Sequence, residues 1–149
     1  MFNLATISLI FLLAFTKPGE LPVPDLSWNL REELDYLAEE YCKNIYCDAG
    51  LEGKLDYTIF HRAYEGISEI CAPRKDILTI IDYSKPACDQ RLYVIDLVNR
   101  KLLYRTLVAH GKNSGELYCT RFSNRPRSLQ SSPGFFLTAE SYSGRQGYS

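Results

Sequence analysis

The densest set of residues able to do chemistry lies between positions 109 and 136. His110 begins a His-Gly pair there, and Cys119 follows nine residues later. A thiolate beside an imidazole is the pairing on which cysteine nucleophiles depend. The same run is rich in Gly, Ser, Asn and Pro, residues that favour turns over helices and strands. The pattern therefore predicts a system of loops built around a site.

Two roles are open for the small and polar residues of this run. They either hold the loops to one another, which is the commoner case, or contact a ligand directly. The candidates are Gly111, Ser114, Asn124, Ser132 and Gly134. Three further side chains, Arg121, Arg125 and Arg127, could meet carboxylates of a ligand, although a solvated basic rim is the more frequent arrangement.

Composition sets the broad class of the protein. The chain has 149 residues, of which 46% are hydrophobic, with 11 Tyr and 7 Phe, so we expect one folded domain or slightly more. A net charge of -1 provides no general attraction for nucleic acid or acidic lipid. Two His and no Cys-x-x-Cys spacing argue against a zinc site.

The cysteines and the N-terminus both point to export. Five cysteines suit an oxidising compartment, and Cys42 with Cys47 is a possible local pair, although the sequence does not fix the connectivity. Residues 4–15 carry no charge and are too few to span a bilayer, but they match the core of a signal peptide. The alternative for this segment is a buried hydrophobic N-terminus.

Hydrophobic spacing predicts the elements that must position the loops. Asp25 or Ser27 can cap a first helix, whose apolar stripe is Leu30, Leu34, Leu37, Tyr41 and Ile45. A second helix is predicted at 56–69, with His61 outside its apolar stripe and facing solvent. Strands are predicted at 77–82, 91–96, 102–109 and 134–141, the middle two forming a hairpin. The fold class is α+β, with two N-terminal helices followed by a mostly antiparallel β domain.

Six segments of the second half occur in an order that resembles a known family. They read DYS at 82–84, RLYVIDL at 91–97, VAHGKNSG at 108–115, FSN at 122–124, SSPGFF at 131–136 and YSGRQGYS at 142–149. This set resembles the murein L,D-transpeptidase catalytic domain, a branch of the YkuD-like proteins, over residues 55–149. The predicted organisation is then a signal peptide and linker at 1–19, a helical region at 20–73 and an incomplete catalytic domain at 74–149.

The resemblance implies an exported enzyme that works on peptidoglycan stem peptides without a metal or organic cofactor. A Cys attacks the amide carbonyl after the third stem residue, a nearby His activates the thiol, and backbone N–H groups hold the oxyanion. In the family this His and Cys lie further along the chain, so we expect them beyond Ser149. The resemblance assigns a catalytic role to no position here.

Three alternatives follow because the family's catalytic His and Cys segment is not found within residues 1–149. His110 and Cys119 could form a substitute dyad, but His110 matches an Ala-His-Gly element of the family that is not catalytic, which favours a structural role. The chain could instead be an exported, non-catalytic protein that binds wall peptide or another protein. It could also be a fragment that does not fold stably alone, because truncation leaves strand edges and apolar faces uncovered.

Overall fold

Two helices precede a three-stranded antiparallel sheet, as the α+β prediction requires. The computed structural model describes residues 27–70, 75–138, 143–144 and 147–148. The elements in chain order are helices α1 (Ser27–Asp48) and α2 (Tyr57–Glu69), strands β1 (Ile77–Ile81), β2 (Leu92–Asp96) and β3 (Lys101–Thr106), and the short strands β4 (Ser143–Gly144) and β5 (Gly147–Tyr148). The last two form a separate hairpin. The predicted signal peptide and the possible cap at Asp25 lie outside the described residues.

Local signals set the ends of the helices. The Asp56 carboxylate accepts a 2.8 Å hydrogen bond from the Thr58 N–H group and so caps α2. Gly50, which follows α1, has a φ of 63°, a conformation that favours glycine and ends a helix. The prediction of a helix at 56–69 is therefore confirmed, with Asp56 as its cap.

The predicted apolar stripe of α1 is buried only at its C-terminal end. Leu30, Leu34, Leu37 and Tyr41 are all exposed, whereas Ile45 is buried. The core face of α1 is formed by Cys42, Ile45 and Tyr46, and Ala49 joins it directly after the helix. The spacing correctly predicted a helix, but most of the stripe stays exposed because the buried residues of this helix lie in its last turns.

A polar clamp joins α1 to α2. Glu39 accepts a 2.7 Å hydrogen bond from the Tyr57 hydroxyl, and its second oxygen lies 2.7 Å from His61 Nε2. The Tyr57 hydrogen bond, with the nearby His61, lowers the pKa of the Glu39 carboxyl. His61 is therefore held between the two helices instead of facing open solvent as predicted.

The sheet has the order β1-β2-β3. The register between β1 and β2 determines which backbone groups of β1 bond to β2 and which point away from it. The Asp82 N–H group bonds the Arg91 carbonyl at 2.8 Å, and the Leu97 N–H group bonds the Asp76 carbonyl at 2.8 Å. Since hydrogen-bonded pairs alternate along an antiparallel ladder, the even-numbered residues of β1 bond to β2. The N–H and C=O groups of the odd-numbered residues point away from the sheet, toward the outer edge of β1.

The core lies between the sheet and the helices. Ile80, Tyr93 and Ile95 of the sheet join Phe60 of α2 and the buried face of α1 in one cluster. The first three predicted strands and the β2–β3 hairpin are confirmed, although the third strand ends at Thr106. The hairpin turns at Asn99, whose N–H group donates to Asp96 Oδ1 at 2.7 Å.

The predicted fourth strand at 134–141 is wrong for its described part. Residues 134–138 form no strand, and Phe135, Phe136 and Leu137 are exposed. A strand needs a hydrogen-bonding neighbour, and β-propensity alone does not provide one. Residues 139–141 lie outside the described part of the chain.

The possible Cys42–Cys47 pair does not form. Both residues lie in α1, where Cys42 is 2% exposed and Cys47 is on the surface, and both are free thiols. Five residues along an α-helix turn the chain about 140° beyond one full rotation, so the two sulfur atoms point to different sides. Cys88 and Cys119 are also free, and Cys71 lies outside the described residues.

Neither of the described helices is long and apolar enough to cross a membrane.

Thiol reactivity should follow this burial. Desolvation raises the pKa of Cys42 to about 11, so its thiol stays protonated at about pH 8, near the ordinary thiol pKa. Brief treatment of the folded protein with iodoacetamide should modify the exposed Cys47 and Cys88 and spare Cys42. Peptide mass spectrometry reads the sites, and labelling in denaturant is the control. Rapid native modification of Cys42 would contradict the described packing of α1.

Candidate functional site

A buried guanidinium joins two segments that leave the same end of the sheet. Arg91 is 0% exposed, and its Nε and Nη2 donate to the Val108 carbonyl at 3.2 and 3.0 Å. Its Nη1 donates to the Lys85 carbonyl at 2.9 Å, and the group lies 5.0 Å from the centre of the Tyr83 ring. Arg91 therefore ties the β1–β2 connection to the chain that leaves β3.

The orientation of His110 follows from Arg91. His110 Nδ1 lies 2.9 Å from Arg91 Nη2, and because a guanidinium only donates, Nδ1 must accept. The ring hydrogen is then on Nε2, which donates to the Gly115 carbonyl at 3.1 Å. Both ring nitrogens are engaged, which favours the structural role predicted for His110 over a dyad with Cys119, whose own side chain is buried.

Ser114 connects three parts of the loop system. Its side chain is 0% exposed, and its Oγ accepts from the Ser131 N–H group at 2.8 Å. Its carbonyl accepts from the N–H groups of Thr120 at 2.8 Å and Arg121 at 3.0 Å. Ser114 therefore holds the loops together, and its buried hydroxyl is not available to a ligand.

Gly111 is required by close contact between two backbones. Its N–H group donates to Ser131 Oγ at 2.9 Å. A Cβ atom at this position would lie 2.6 Å from the Leu129 carbonyl oxygen and 2.7 Å from the Ser131 nitrogen, distances that side-chain rotation cannot relieve. The predicted role of Gly111 in loop structure is therefore favoured over ligand contact.

Asn124 and Ser132 make weaker bonds and remain exposed. Asn124 Nδ2 donates to the Pro133 carbonyl at 3.3 Å, and Ser132 Oγ donates to the Ser123 carbonyl at 3.4 Å. These bonds join residues 122–124 to 131–133, where Phe122 and Ser131 form an isolated parallel bridge. Long, exposed hydrogen bonds can be exchanged for bonds to a ligand at little cost.

A cavity of about 830 Å³ lies beside this loop system. It is bounded by α2, by β1 and by residues 132–138, with Tyr83 and Phe122 also in its lining. Of the predicted candidates, Ser132 and Gly134 line it, whereas Gly111, Ser114 and Asn124 do not. The structure thus separates the five residues into Gly111 and Ser114, which fix the loops, Ser132 and Gly134, which line the cavity, and Asn124, which is exposed outside it.

One wall of the cavity depends on a glycine inside α2. Gly66 is buried, and a Cβ atom there would lie 2.2 Å from the Phe135 ring. The Arg62 guanidinium lies 5.5 Å from the centre of the same ring. Sequence reasoning missed this contact, although an isolated glycine within a helical pattern was a signal of close approach.

Both histidines bond elsewhere than to a thiol. His61 contacts Glu39 and Glu65, and His110 contacts Arg91 and Gly115. In the part of the chain that the structure describes, no group of three or more His, Cys, Asp or Glu side chains is suited to hold a metal ion. The described side chains fix the loops beside the cavity. Among them, neither histidine is positioned to activate a thiol as a nucleophile.

Removing the buried guanidinium should loosen the whole loop system. Arg91→Met should lower the free energy of unfolding by about 3 kcal/mol, because buried carbonyl groups lose their donors. Arg105→Met is the matched control: Arg105 is exposed on β3 and makes one 3.3 Å bond to the Gln90 carbonyl, so its loss should cost less than about 1 kcal/mol. Urea unfolding measures both.

Nitrogen NMR provides an independent readout for His110. The wild-type ring should carry its hydrogen on Nε2, and this single-tautomer signature should disappear in Arg91→Met. An equal stability loss in both variants, or a hydrogen on Nδ1 in the wild type, would contradict the described network.

The effect of Gly66→Ala on the stability of the protein should change sign when the Phe135 ring is removed. Alanine favours a helix interior by about 1 kcal/mol over glycine, but in the wild-type chain the new methyl group must displace the Phe135 ring, so we expect net destabilisation. In the Phe135→Ala background the same substitution should stabilise by about 0.5–1 kcal/mol. Thermal unfolding of the four chains measures the coupling, and equal effects in both backgrounds would count against the contact.

Comparison with known proteins identifies the family to which this fold and loop system belong. No curated protein and no solved structure matches the chain. The family model of the L,D-transpeptidase catalytic domain matches residues 51–149. The match begins in the α1–α2 connection and includes α2, the sheet, the loop system and the cavity lining. Since it covers more than half of the sequence, the chain belongs to the L,D-transpeptidase catalytic-domain family, in agreement with the resemblance seen in its motifs.

Proposed function

We propose that this chain is part of an exported murein L,D-transpeptidase that transfers acyl groups between peptidoglycan stem peptides. The observation that carries the proposal is the family match over residues 51–149. In the proposed reaction a cysteine thiolate attacks the amide carbonyl of a donor stem and forms a thioester, and the amine of the leaving residue departs with a proton. An acceptor amine then attacks the thioester, which restores the thiol.

The described residues supply the scaffold of this site, not its nucleophile. His110 has both ring nitrogens bonded within the loops, and the Cys119 side chain is buried. We therefore assign the thiol and its base to residues that follow position 149 in the gene product, as the family resemblance implies. Arg91, His110 and Ser114 hold the loops on which that segment would sit.

Exposed groups on the loops suit a peptide substrate with carboxylates. The side chains of Asn124 and Ser132 are accessible and only weakly bonded. Arg125 and Arg127 are exposed on the same loops, and a guanidinium pairs well with a carboxylate. The uncharged run at 4–15 is the basis for proposing export to the cell envelope.

Acyl transfer can be tested by trapping the thioester. The reading frame should continue beyond codon 149 through a His-Gly and a Ser-x-Gly-Cys segment. The extended protein, incubated with a tetrapeptide stem donor, should show a covalent acyl adduct by intact mass spectrometry, and the 149-residue chain should show none. Cys119→Ala in the extended protein should leave the adduct in place.

Two results would overturn the proposal. A stop at codon 149 with no such segment would remove the enzyme and favour a non-catalytic protein that binds wall peptide. Loss of the adduct in the Cys119→Ala variant, with normal folding, would make Cys119 the nucleophile and the role assigned to the loops wrong.

A further inference from the structure

The turn at 125–130 holds two residues with side chains in the left-handed backbone conformation. Arg127 has a φ of 63° and Leu129 a φ of 57°. Because the Cβ atom makes this conformation costly, such residues keep it only where the surrounding structure requires it. Strained backbone of this kind is concentrated at segments that bind ligands.

Hydrogen bonds to the neighbouring loop hold the turn in this shape. The Asn113 N–H group donates to the Leu129 carbonyl at 2.9 Å, and Asn113 Nδ2 donates to the Ser128 carbonyl at 2.9 Å. Within the turn, the Ser128 N–H group donates to the Arg125 carbonyl at 3.2 Å. The backbone of the turn is therefore fixed before any ligand binds.

Positive charge without a described partner surrounds the turn. Four exposed cationic side chains make no hydrogen bond or ion pair with a described residue, namely Lys112, Arg121, Arg125 and Arg127. The one acidic residue between positions 107 and 138 is Glu116. Its neighbour Leu117 is bonded to Ala87, so Glu116 belongs to a different part of the loops. The chain as a whole has a net charge of -1, which makes this a local concentration of cations.

The chemistry of these groups favours a carboxylate over its amide. A guanidinium pairs with both oxygens of a carboxylate through parallel hydrogen bonds, whereas a carboxamide has one acceptor oxygen and no charge. Arg125 and Arg127 are carried by the fixed turn, and Lys112 directly precedes the residue that holds it. Because the backbone is already positioned, less entropy is lost when a carboxylate binds there.

We propose that the turn at 125–130 selects stem peptides whose carboxyl groups are free over stems in which the same groups are amidated. Arg125 and Arg127 pair with the carboxylates, and Lys112 and Arg121 add to the positive potential around them. This selection rests on the proposed function, because it specifies which stem peptides the acyl-transfer site accepts.

Two tetrapeptide stems test the selection directly. They differ only in having free carboxyl groups or primary amides in the same places, and their binding to the 149-residue chain is measured by NMR titration. At low salt we expect the free stem to bind about fivefold more tightly, the size of effect that one or two exposed ion pairs produce. The preference should shrink at high salt, because exposed charges are then screened.

Three variants locate the preference on the turn. Arg125→Gln combined with Arg127→Gln should reduce it to less than about twofold. Lys101→Gln is the matched control and should leave it unchanged, because Lys101 is an exposed cation on β3 that also has no described partner. Asn113→Ala keeps every cation but removes the side-chain bond to Ser128, so it should lower the preference by loosening the turn. Thermal unfolding midpoints show that each variant is folded.

Equal binding of the two stems at low salt would overturn the proposal. So would a preference that persists in the folded double variant, one that Lys101→Gln reduces as much, or one that Asn113→Ala leaves at its full size.

Acyl transfer is scored separately in the extended protein. Thioester formation at equal rates from both stems would remove the selection and leave the proposed function in place. A binding preference for the free stem without any thioester would remove the proposed function and leave a surface that selects carboxylates.

Discussion

The burial of the Arg91 guanidinium is the interaction on which the loop system depends. A charge removed from water is costly unless the protein replaces its hydration with hydrogen bonds. Here the Lys85 and Val108 carbonyls and the face of the Tyr83 ring do so. Since these groups come from the β1–β2 connection and from the chain beyond β3, neither segment can move away without leaving the charge uncompensated.

The consequences extend from that charge to the edge of the cavity. Arg91 orients His110, and His110 holds the Gly115 carbonyl. Next to it, Ser114 binds the Ser131 amide. The interior of the loops is thus held by its own hydrogen bonds. The groups that a ligand can reach lie on the exposed surface of the loops, where Asn124 and Ser132 make long hydrogen bonds. His110 begins a His-Gly pair but has a structural role here. The residues next to a histidine in the sequence therefore do not decide whether it is catalytic.

Much of the fold could be predicted because it depends on local patterns. The two helices, the first three strands and the β2–β3 hairpin follow from spacing and turn chemistry that act over a few residues. The failures depend on distant partners. The apolar stripe of α1 predicted a helix correctly but not how much of that helix the sheet would cover.

The same distinction explains which features of the site could be predicted from the sequence. The residue types between 109 and 136 were enough to predict bonded loops and the candidates within them. Nothing local shows that Arg91 would be buried, because its acceptors lie 6 and 17 residues away along the chain. The contact of Gly66 with Phe135 joins a helix to a loop 69 residues later, and the strand predicted at 134–141 needed a neighbour that its own sequence does not contain.

The segment at 132–138 lies between the bonded loops and β1 and lines the cavity with both. Its start follows Ser131, whose amide and hydroxyl are held by Ser114 and Gly111. Its Phe135 ring occupies the space left by the missing side chain of Gly66. One wall of the cavity is therefore positioned by the same network that orients His110. The hydrogen bonds that compensate the burial of Arg91 therefore also help to order a cavity wall that Arg91 itself does not line. A surface that is ordered in advance loses less entropy when a ligand binds.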